Sequence, residues 1–349
     1  MSRILSGIRP SGDLHLGHYL GAIKQWIDLQ KDHEVFYMVA DLHAITTPFD
    51  PKELPALVRN TVIDYLALGL DPAKATIFIQ SHIAAHTQLM WLFNTLTPFG
   101  ELQRMVQFKE WSQKYGESIT AGILNYPILQ SADILLYKPE AVPVGEDQAQ
   151  HVELARDTAK KFNRIYGQTF PEPKAFLASG KRIMSMDNPE VKMSKSEKNG
   201  INIGDEPEVI HAKIKKAVSS SEPRVVREAM KAAQAGEKAT DREWKGDENL
   251  QKQYHGVRNL FTILLALGTT EEIAHWDTLA ETGELKFAEF KPALADIIAN
   301  HFATFRARRA ELQADPALVD RVIREGNLKA TAMAEATLLE VQQKMGLRS

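Results

Sequence analysis

The sequence predicts an α/β protein: a doubly wound, Rossmann-type parallel sheet with a helical insertion, followed by an all-α C-terminal domain. Three observations lead there. Apolar runs of strand length alternate with helix-period segments through the first 80 residues, so consecutive strands are joined by crossovers and lie parallel. Residues 35–40 (VFYMVA) are apolar without alternation, the pattern of a strand covered on both faces. Beyond about residue 205 the β-branched runs vanish and helix formers dominate, which places a boundary there.

In chain order, residues 4–8 form the first strand, and a Pro-Ser-Gly turn at 10–12 follows. Residues 17–30 read as a helix with Leu20, Ile23, Trp26 and Ile27 on one side. Strand 35–40, helix 52–69 and strand 76–80 complete the alternating part. Residues 83–140 are mostly helical and rich in large apolar side chains (Met90, Trp91, Leu92, Phe93, Leu96, Phe99), which suit a buried core or a subunit contact. A short strand at 142–145 leads into a helix over 146–166, Pro171 and Pro173 mark a loop, and residues 181–186 are the candidate last strand. Helical periodicity returns at 206–218, 248–267, 286–313 and 316–346, while the polar stretch 219–247 carries no assigned element. The expected division is residues 1–204, with the insertion at about 83–140 and a loop at 187–200, and residues 205–349, whose last helix packs back on the first domain.

Composition excludes several classes. The 349 residues are 44% hydrophobic and 25% charged, too apolar and too mixed in charge for a disordered chain. With no cysteine there is no disulfide, thiolate metal site or catalytic thiol. No apolar leader and no uninterrupted apolar stretch of membrane length is visible, so a cytoplasmic protein without a membrane span is expected. A net charge of −3 argues against a chain that coats nucleic acid along its whole length, and leaves room for a basic patch.

Two segments carry candidate chemistry. Residues 11–18 (SGDLHLGH) join the first strand to the first helix, at the carboxyl end of the sheet where doubly wound folds bind ligands. Gly17 removes a side chain where a base or phosphate approaches the backbone. His15 and His18, three apart at a helix start, project to one side and suit charge developing on phosphate. Taken alone, this segment reads equally well as a turn with surface histidines. The second is Lys192-Met193-Ser194-Lys195-Ser196, whose lysines are point charges able to close over a polyphosphate. A short basic loop by itself is ordinarily solvated surface.

Together, in that order, HxGH and KMSKS resemble the class I aminoacyl-tRNA synthetases. Residues 7–12 (GIRPSG), 41–46 (DLHAIT), 100–105 (GELQRM), 107–110 (QFKE), 143–148 (PVGEDQ) and 182–186 (RIMSM) are similar to the bacterial tryptophanyl-tRNA synthetase family. The resemblance spans about residues 4–200 and resumes more weakly at 255–260 (HGVRNL) and in the final helix. It implies that Arg9, Pro10, Ser11, Gly17, His18, Gly145, Glu146, Asp147 and Ile183 meet ATP, together with the 192–196 loop, and that His43, Tyr126 and Gln148 line the amino-acid pocket. Two positions depart from the family: Arg9 stands where several relatives have glutamine, and Trp111 where some have a phosphate-binding lysine, a role open to Lys109 or Lys114.

Tyrosyl enzymes share this architecture. Tyr126, Gln130 and Asp133 fall at i, i+4 and i+7 of one helix, so they share a face. The resemblance to the tryptophanyl family implies that Asp133 accepts the indole N–H, and the chemistry agrees, since that nitrogen is donor only and a carboxylate acceptor only; a tyrosine hydroxyl could use the same aspartate. Leu5, two residues before Gly7, stands where tyrosyl enzymes carry tyrosine, and suits an indole face. Gln130 matches the tyrosyl pattern instead. Tyrosyl-tRNA synthetase, a non-catalytic paralogue and a small-molecule nucleotidyltransferase therefore stay as alternatives.

The resemblance implies ATP with bound Mg²⁺, L-tryptophan and tRNA(Trp) as substrates, transfer to the terminal 2′-hydroxyl, and a homodimer. His15, His18, Lys192 and Lys195 are the expected catalytic residues. The basic segment 301–309 (HFATFRARR), with Lys213, Lys215 and Lys216, is the candidate anticodon-binding surface.

Overall fold

The computed structural model describes residues 2–145, 148–177, 183–191, 193, 200–236 and 247–349, apart from the side chains at positions 114, 115, 117 and 177. Five parallel strands, β1 (Arg3–Ile8), β2 (Glu34–Val39), β3 (Ala75–Ile79), β4 (Ala141–Val144) and β5 (Lys174–Leu177), form one sheet in the order β3-β2-β1-β4-β5. The order steps outward from β1 in both directions, which is the doubly wound topology that the sequence predicts. Register follows from charge at one end and apolar fill along the middle. Arg3 pairs with Glu34 across β1 and β2 at 2.9 Å and donates a second bond, also 2.9 Å, to the Tyr137 carbonyl. Every residue of β3 is buried, as is all of β2 after Glu34.

One expectation is corrected here. The strand beside β4 is Lys174–Leu177, not 181–186. Residues 181 and 182 lie outside the described residues. Residues 183–186 form no strand of the sheet and pair instead within their own loop: the Ser185 N–H bonds to the Val191 carbonyl at 2.9 Å, and the Met193 N–H to the Ile183 carbonyl at 3.2 Å. A four-residue strand next to two prolines leaves too little pattern to be read from sequence. The polar stretch also holds a helix, Pro223–Gln234, and Thr270–Thr282 is a further helix.

Contacts divide the chain into two units, a cut different from the linear one at residue 204. The first comprises Met1–Ser11, Trp26–Ala178 and Leu312–Ser349. Its core joins Leu5, Phe36, Phe78, Phe93, Leu135 and Phe162 to Ala330, Ala334, Leu338 and Val341 of the last helix, Pro316–Lys344. Small residues on that helix let it lie close over β3. Within the insertion, Leu92 and Phe93 are buried, whereas Trp91 and Phe99 are 69% and 60% exposed. The second unit comprises Gly12–Gln25 and Ser179–Glu311, a helical assembly that includes Pro207–Lys215, Pro223–Gln234, Glu248–Leu267, Thr270–Thr282 and Phe287–His301. Among the described residues no helix is long and apolar enough to cross a membrane.

Candidate active site

Each unit gathers polar side chains at one place. In the first unit they collect where strands end at their carboxyl edge: Arg9 follows β1, His43 follows β2 and Gln80 follows β3, with the Gly145 backbone following β4. The helix Ala121–Leu136 brings Tyr126, Gln130 and Asp133 alongside them. Thr120 caps that helix by accepting the Ile123 N–H, and Pro127 sits inside it, with Ser131 donating to the Pro127 carbonyl at 2.9 Å.

Asp133 is 1% exposed and fully engaged. His43 Nε2 and His86 Nδ1 each lie 2.7 Å from it, on Oδ2 and Oδ1, and Gln80 Nε2 donates to both oxygens at 2.8 and 2.9 Å. Burial pushes its carboxyl up, but hydrogen bonds and charge from His43 and His86 prevail, and the pKa is lowered to about 2. It is therefore an ion that accepts and never donates. His86 reaches on through Nε2 to the Tyr137 hydroxyl, 2.9 Å away.

Tyr126 forms a neighbouring cluster. Its hydroxyl donates to Gln107 Oε1 and lies 2.8 Å from His151 Nε2, while the Trp111 ring packs at 5.7 Å between centroids. Burial raises the phenol well above the usual tyrosine range, with Arg9 opposing it. Trp111 thus presents aromatic surface to Tyr126, and Lys109 is exposed. Gln130 Nε2 lies 3.5 Å from Gln148 Oε1. Leu5 is 2% exposed within the hydrophobic core. At Gly7 any Cβ would come 2.7 Å from the Met38 carbonyl oxygen, so no larger residue fits that strand pair.

In the second unit, the two histidines cap their own helix. The helix begins Leu16–His18, continues through a π turn, Tyr19–Ile23, and ends in Lys24–Leu29. His15 is the N-cap: its Nδ1 accepts the His18 N–H at 3.3 Å, and His18 Nδ1 accepts the His15 N–H at 3.4 Å. An Nδ1 that accepts carries no proton, so in the neutral rings the proton is on Nε2. Both rings, stacked 3.6 Å apart, therefore present Nε2–H donors away from the backbone.

Both ends of the 187–200 loop meet this turn. Downstream, His15 pairs antiparallel with Asn202, the Leu16 N–H bonds to the Ile201 carbonyl at 2.8 Å, and the Ile203 N–H bonds to the Leu14 carbonyl at 2.9 Å. Upstream, a Cβ at Gly17 would lie 4.0 Å from Ile183 Cβ. Ile183 and Met193 are buried. Lys213 Nζ fastens the loop's exit, donating to the Gly200 carbonyl at 2.8 Å and to Asp205 at 2.6 Å. Glu146, Asp147, Lys192, Ser194, Lys195 and Ser196 lie outside the described residues.

The turn that carries the paired histidines thus lies against Ile183 and residues 201–203, on either side of the lysine loop in sequence. A family profile described as tRNA synthetases class I (W and Y) matches residues 1–303. The chain belongs to the class I tRNA synthetases of the W and Y group. Among relatives in this family, the tryptophan–tRNA ligase of Caldanaerobacter subterraneus is 42% identical over 352 residues, covering 99% of both chains. That of Gloeobacter violaceus is 40% identical over 353 residues, 99% of this chain and 96% of the relative. The tryptophanyl-tRNA synthetase of Campylobacter jejuni, solved with ADP and tryptophan, superposes with a TM-score of 0.81 at 31% identity, covering 99% of this chain and all of the other. A tyrosyl-tRNA synthetase from Archaeoglobus fulgidus, at 21% identity and a TM-score of 0.64, shares the fold.

The polar clusters around Asp133 and Tyr126 hold residues to which sequence reading gave no role: Gln80, His86, Tyr137, His151 and Gln107, the last quoted only within the 107–110 motif. Gln80 had a legible signal, since it directly follows an all-buried strand at the sheet's carboxyl edge. Two expected binding features are corrected. Phe302 and Phe305 are 1% and 4% exposed, and Phe302 packs edge-on to Tyr19 at 4.9 Å, so neither is open for a base to stack on. Lys213, occupied by the loop exit, is not an outward phosphate contact, whereas Lys215 and Lys216 are exposed. Among the described residues no group of three or more His, Cys, Asp or Glu side chains converges on a metal position.

Proposed function

We propose that the chain is a tryptophan–tRNA ligase. The substrate carboxylate attacks the α-phosphorus of ATP, forming tryptophanyl-adenylate and expelling pyrophosphate. The 2′-hydroxyl of the terminal tRNA adenosine then attacks the adenylate carbonyl and releases AMP. The single observation that carries the reading is the buried, ionised Asp133, an acceptor-only partner matched to the donor-only indole nitrogen.

The roles follow from charge and position. The substrate supplies the nucleophile, so the protein contributes placement and electrostatics. His15 and His18 direct Nε2–H donors at the phosphates, and Lys192 and Lys195 neutralise the departing pyrophosphate. The family resemblance assigns Arg9, Pro10, Ser11, Gly17, Gly145, Glu146, Asp147, Ile183, Met193, Ser194 and Ser196 to the binding of ATP, whose polyphosphate brings Mg²⁺ with it. Asp133 holds the indole, with His43, Tyr126, Gln130, Gln148, Leu5 and Gly7 shaping the pocket. The helical part of residues 205–349 binds tRNA(Trp). The exposed Trp91 and Phe99 support a homodimer formed through the insertion.

Amino-acid-dependent pyrophosphate exchange is the test. Tryptophan stimulates exchange and tyrosine does not; the reverse result assigns the chain to the tyrosyl enzymes, and no exchange with either assigns a non-catalytic role.

A further inference from the structure

The Asp133 carboxylate offers about four lone-pair positions, and four hydrogen-bond contacts already fill them. A further donor must displace one of the present partners, and the three donors differ in how firmly they are held. His86 is 0% exposed, stacks on Phe78 at 6.1 Å, and is tied at its other nitrogen to Tyr137. Tyr137 is itself buried and its phenol is raised by burial, so its hydroxyl stays protonated and holds His86 Nε2 while His86 Nδ1–H donates to Asp133. Gln80 is also 0% exposed, and its Oε1 accepts the Leu42 N–H at 3.1 Å. Losing either leaves buried polar atoms unpaired, a cost that no incoming donor offsets. His43 differs. It sits on the short helix Asp41–Ala44, is 7% exposed and meets the Tyr126 ring edge-on at 6.1 Å, but the Asp133 contact is its one side-chain hydrogen bond among the described residues, so releasing it strands a single N–H and no further partner.

We infer that His86 and Gln80 form a fixed frame that positions Asp133, and that His43 is the partner an incoming ring N–H exchanges with. His86 is then a positioning residue, acting through Asp133 without touching substrate. The inference rests on the reading that Asp133 accepts the N–H of the amino acid.

The test uses pyrophosphate exchange by the full-length protein. In His86→Leu, the tryptophan KM rises about tenfold while the ATP KM holds, and the acid limb of the tryptophan KM moves to higher pH, because Asp133 has lost a bond that favours its ionised form. His86→Asn, whose amide N–H can replace Nδ1–H, recovers most of the loss. Should His86→Leu fail to fold, Tyr137→Phe removes only the outer hydroxyl and is expected to shift the same limb by a smaller amount. A folded His86→Leu, or a Tyr137→Phe, with wild-type tryptophan KM and pH profile overturns the frame. Asp133→Asn separates the two readings: if it leaves the tryptophan KM unchanged, the indole reading itself has failed. For the exchange step, ¹⁵N-histidine spectra recorded with and without tryptophan should show the His43 Nε2 signal moving and the His86 Nδ1 signal staying; movement of both, or of neither, overturns it.

Discussion

Gly326 lies directly against the backbone of Ile77: a Cβ at this position would fall 1.7 Å from the Ile77 carbonyl oxygen. Ile77 belongs to β3, the edge strand, and Gly326 lies in the last helix, so this contact is where the helix covers the open edge of the sheet. The next residue completes it. Asn327 Oδ1 accepts the Ile79 N–H at 2.9 Å, and Asn327 Nδ2 lies 2.8 Å from His82 Nδ1.

Gly326→Ala is therefore expected to destabilise the protein by about 3 kcal/mol or more, although alanine is the better helix former by about 1 kcal/mol, since the clash is with backbone that cannot rotate away. Asn327→Ala should cost about 1–2 kcal/mol through the unpaired Ile79 N–H. Urea midpoints compared with wild type check both. A stabilised Gly326→Ala would show that the helix can lift off the strand.

What was legible in the sequence, and what was not, divides at this kind of contact. The unbroken apolar run 35–40 announced a doubly covered strand because burial on both faces leaves no room for alternation. Asp133, Gln130 and Tyr126 share a helix face, and that follows from spacing alone. His86 and Gln80 are 47 and 53 residues from Asp133. They meet because the segment that leaves β3, ending in the helix Ala85–Asn94, packs against the helix Ala121–Leu136, and no local pattern encodes that. Phe302 and Phe305 misled for the same reason: a basic, aromatic segment looks like a nucleic-acid surface until both rings are seen to be buried, Phe302 against the sequence-distant Tyr19. Gly326 inside a helix was a weak hint of close packing that a single sequence could not aim at a target.

The Asp133 carboxylate gives stability a defined pH dependence. Its pKa is 3.8 in the reference state and about 2 in the fold, so the folded protein prefers the ionised form. The contribution is present in full above the unfolded value and is lost as pH falls from 3.8 through about 2. It amounts to about 2 kcal/mol. Asp133→Asn should lower stability at neutral pH and flatten the decline between about pH 4 and pH 2. Urea unfolding followed from pH 5 to pH 2 measures it; parallel curves for wild type and variant would mean that Asp133 titrates alike in both states.

Asn259 fixes the segment that leads into the lysine loop. It accepts the Met184 N–H and donates to the Met184 carbonyl, both at 2.9 Å, and it is 4% exposed. Asn259→Ala leaves two buried backbone groups unpaired and should cost about 2–4 kcal/mol. Asn259→Asp keeps the acceptor but turns a carboxylate oxygen toward the Met184 carbonyl, so it should be no better than alanine. Because Met184 adjoins Ile183, the ATP KM in pyrophosphate exchange should rise in both variants, with the tryptophan KM little changed. An ATP KM equal to wild type in a folded Asn259→Ala would confine Asn259 to stability.

His15 does two jobs that one pair of substitutions separates. As the N-cap it accepts the His18 N–H through Nδ1, and as a donor it presents Nε2–H. Asparagine is among the best N-caps and can accept the same N–H, but it cannot place a donor where the far side of an imidazole reaches. His15→Asn should therefore keep the wild-type Tm and lose about a hundredfold in the kcat of pyrophosphate exchange, the size of effect that follows removal of one donor aimed at developing charge. His15→Ala should lose the same activity and also about 1 kcal/mol of stability with the cap. If His15→Asn retains near-normal kcat, the ring serves only to start the helix, and stabilisation of the departing phosphates falls to His18 and the lysines of the loop.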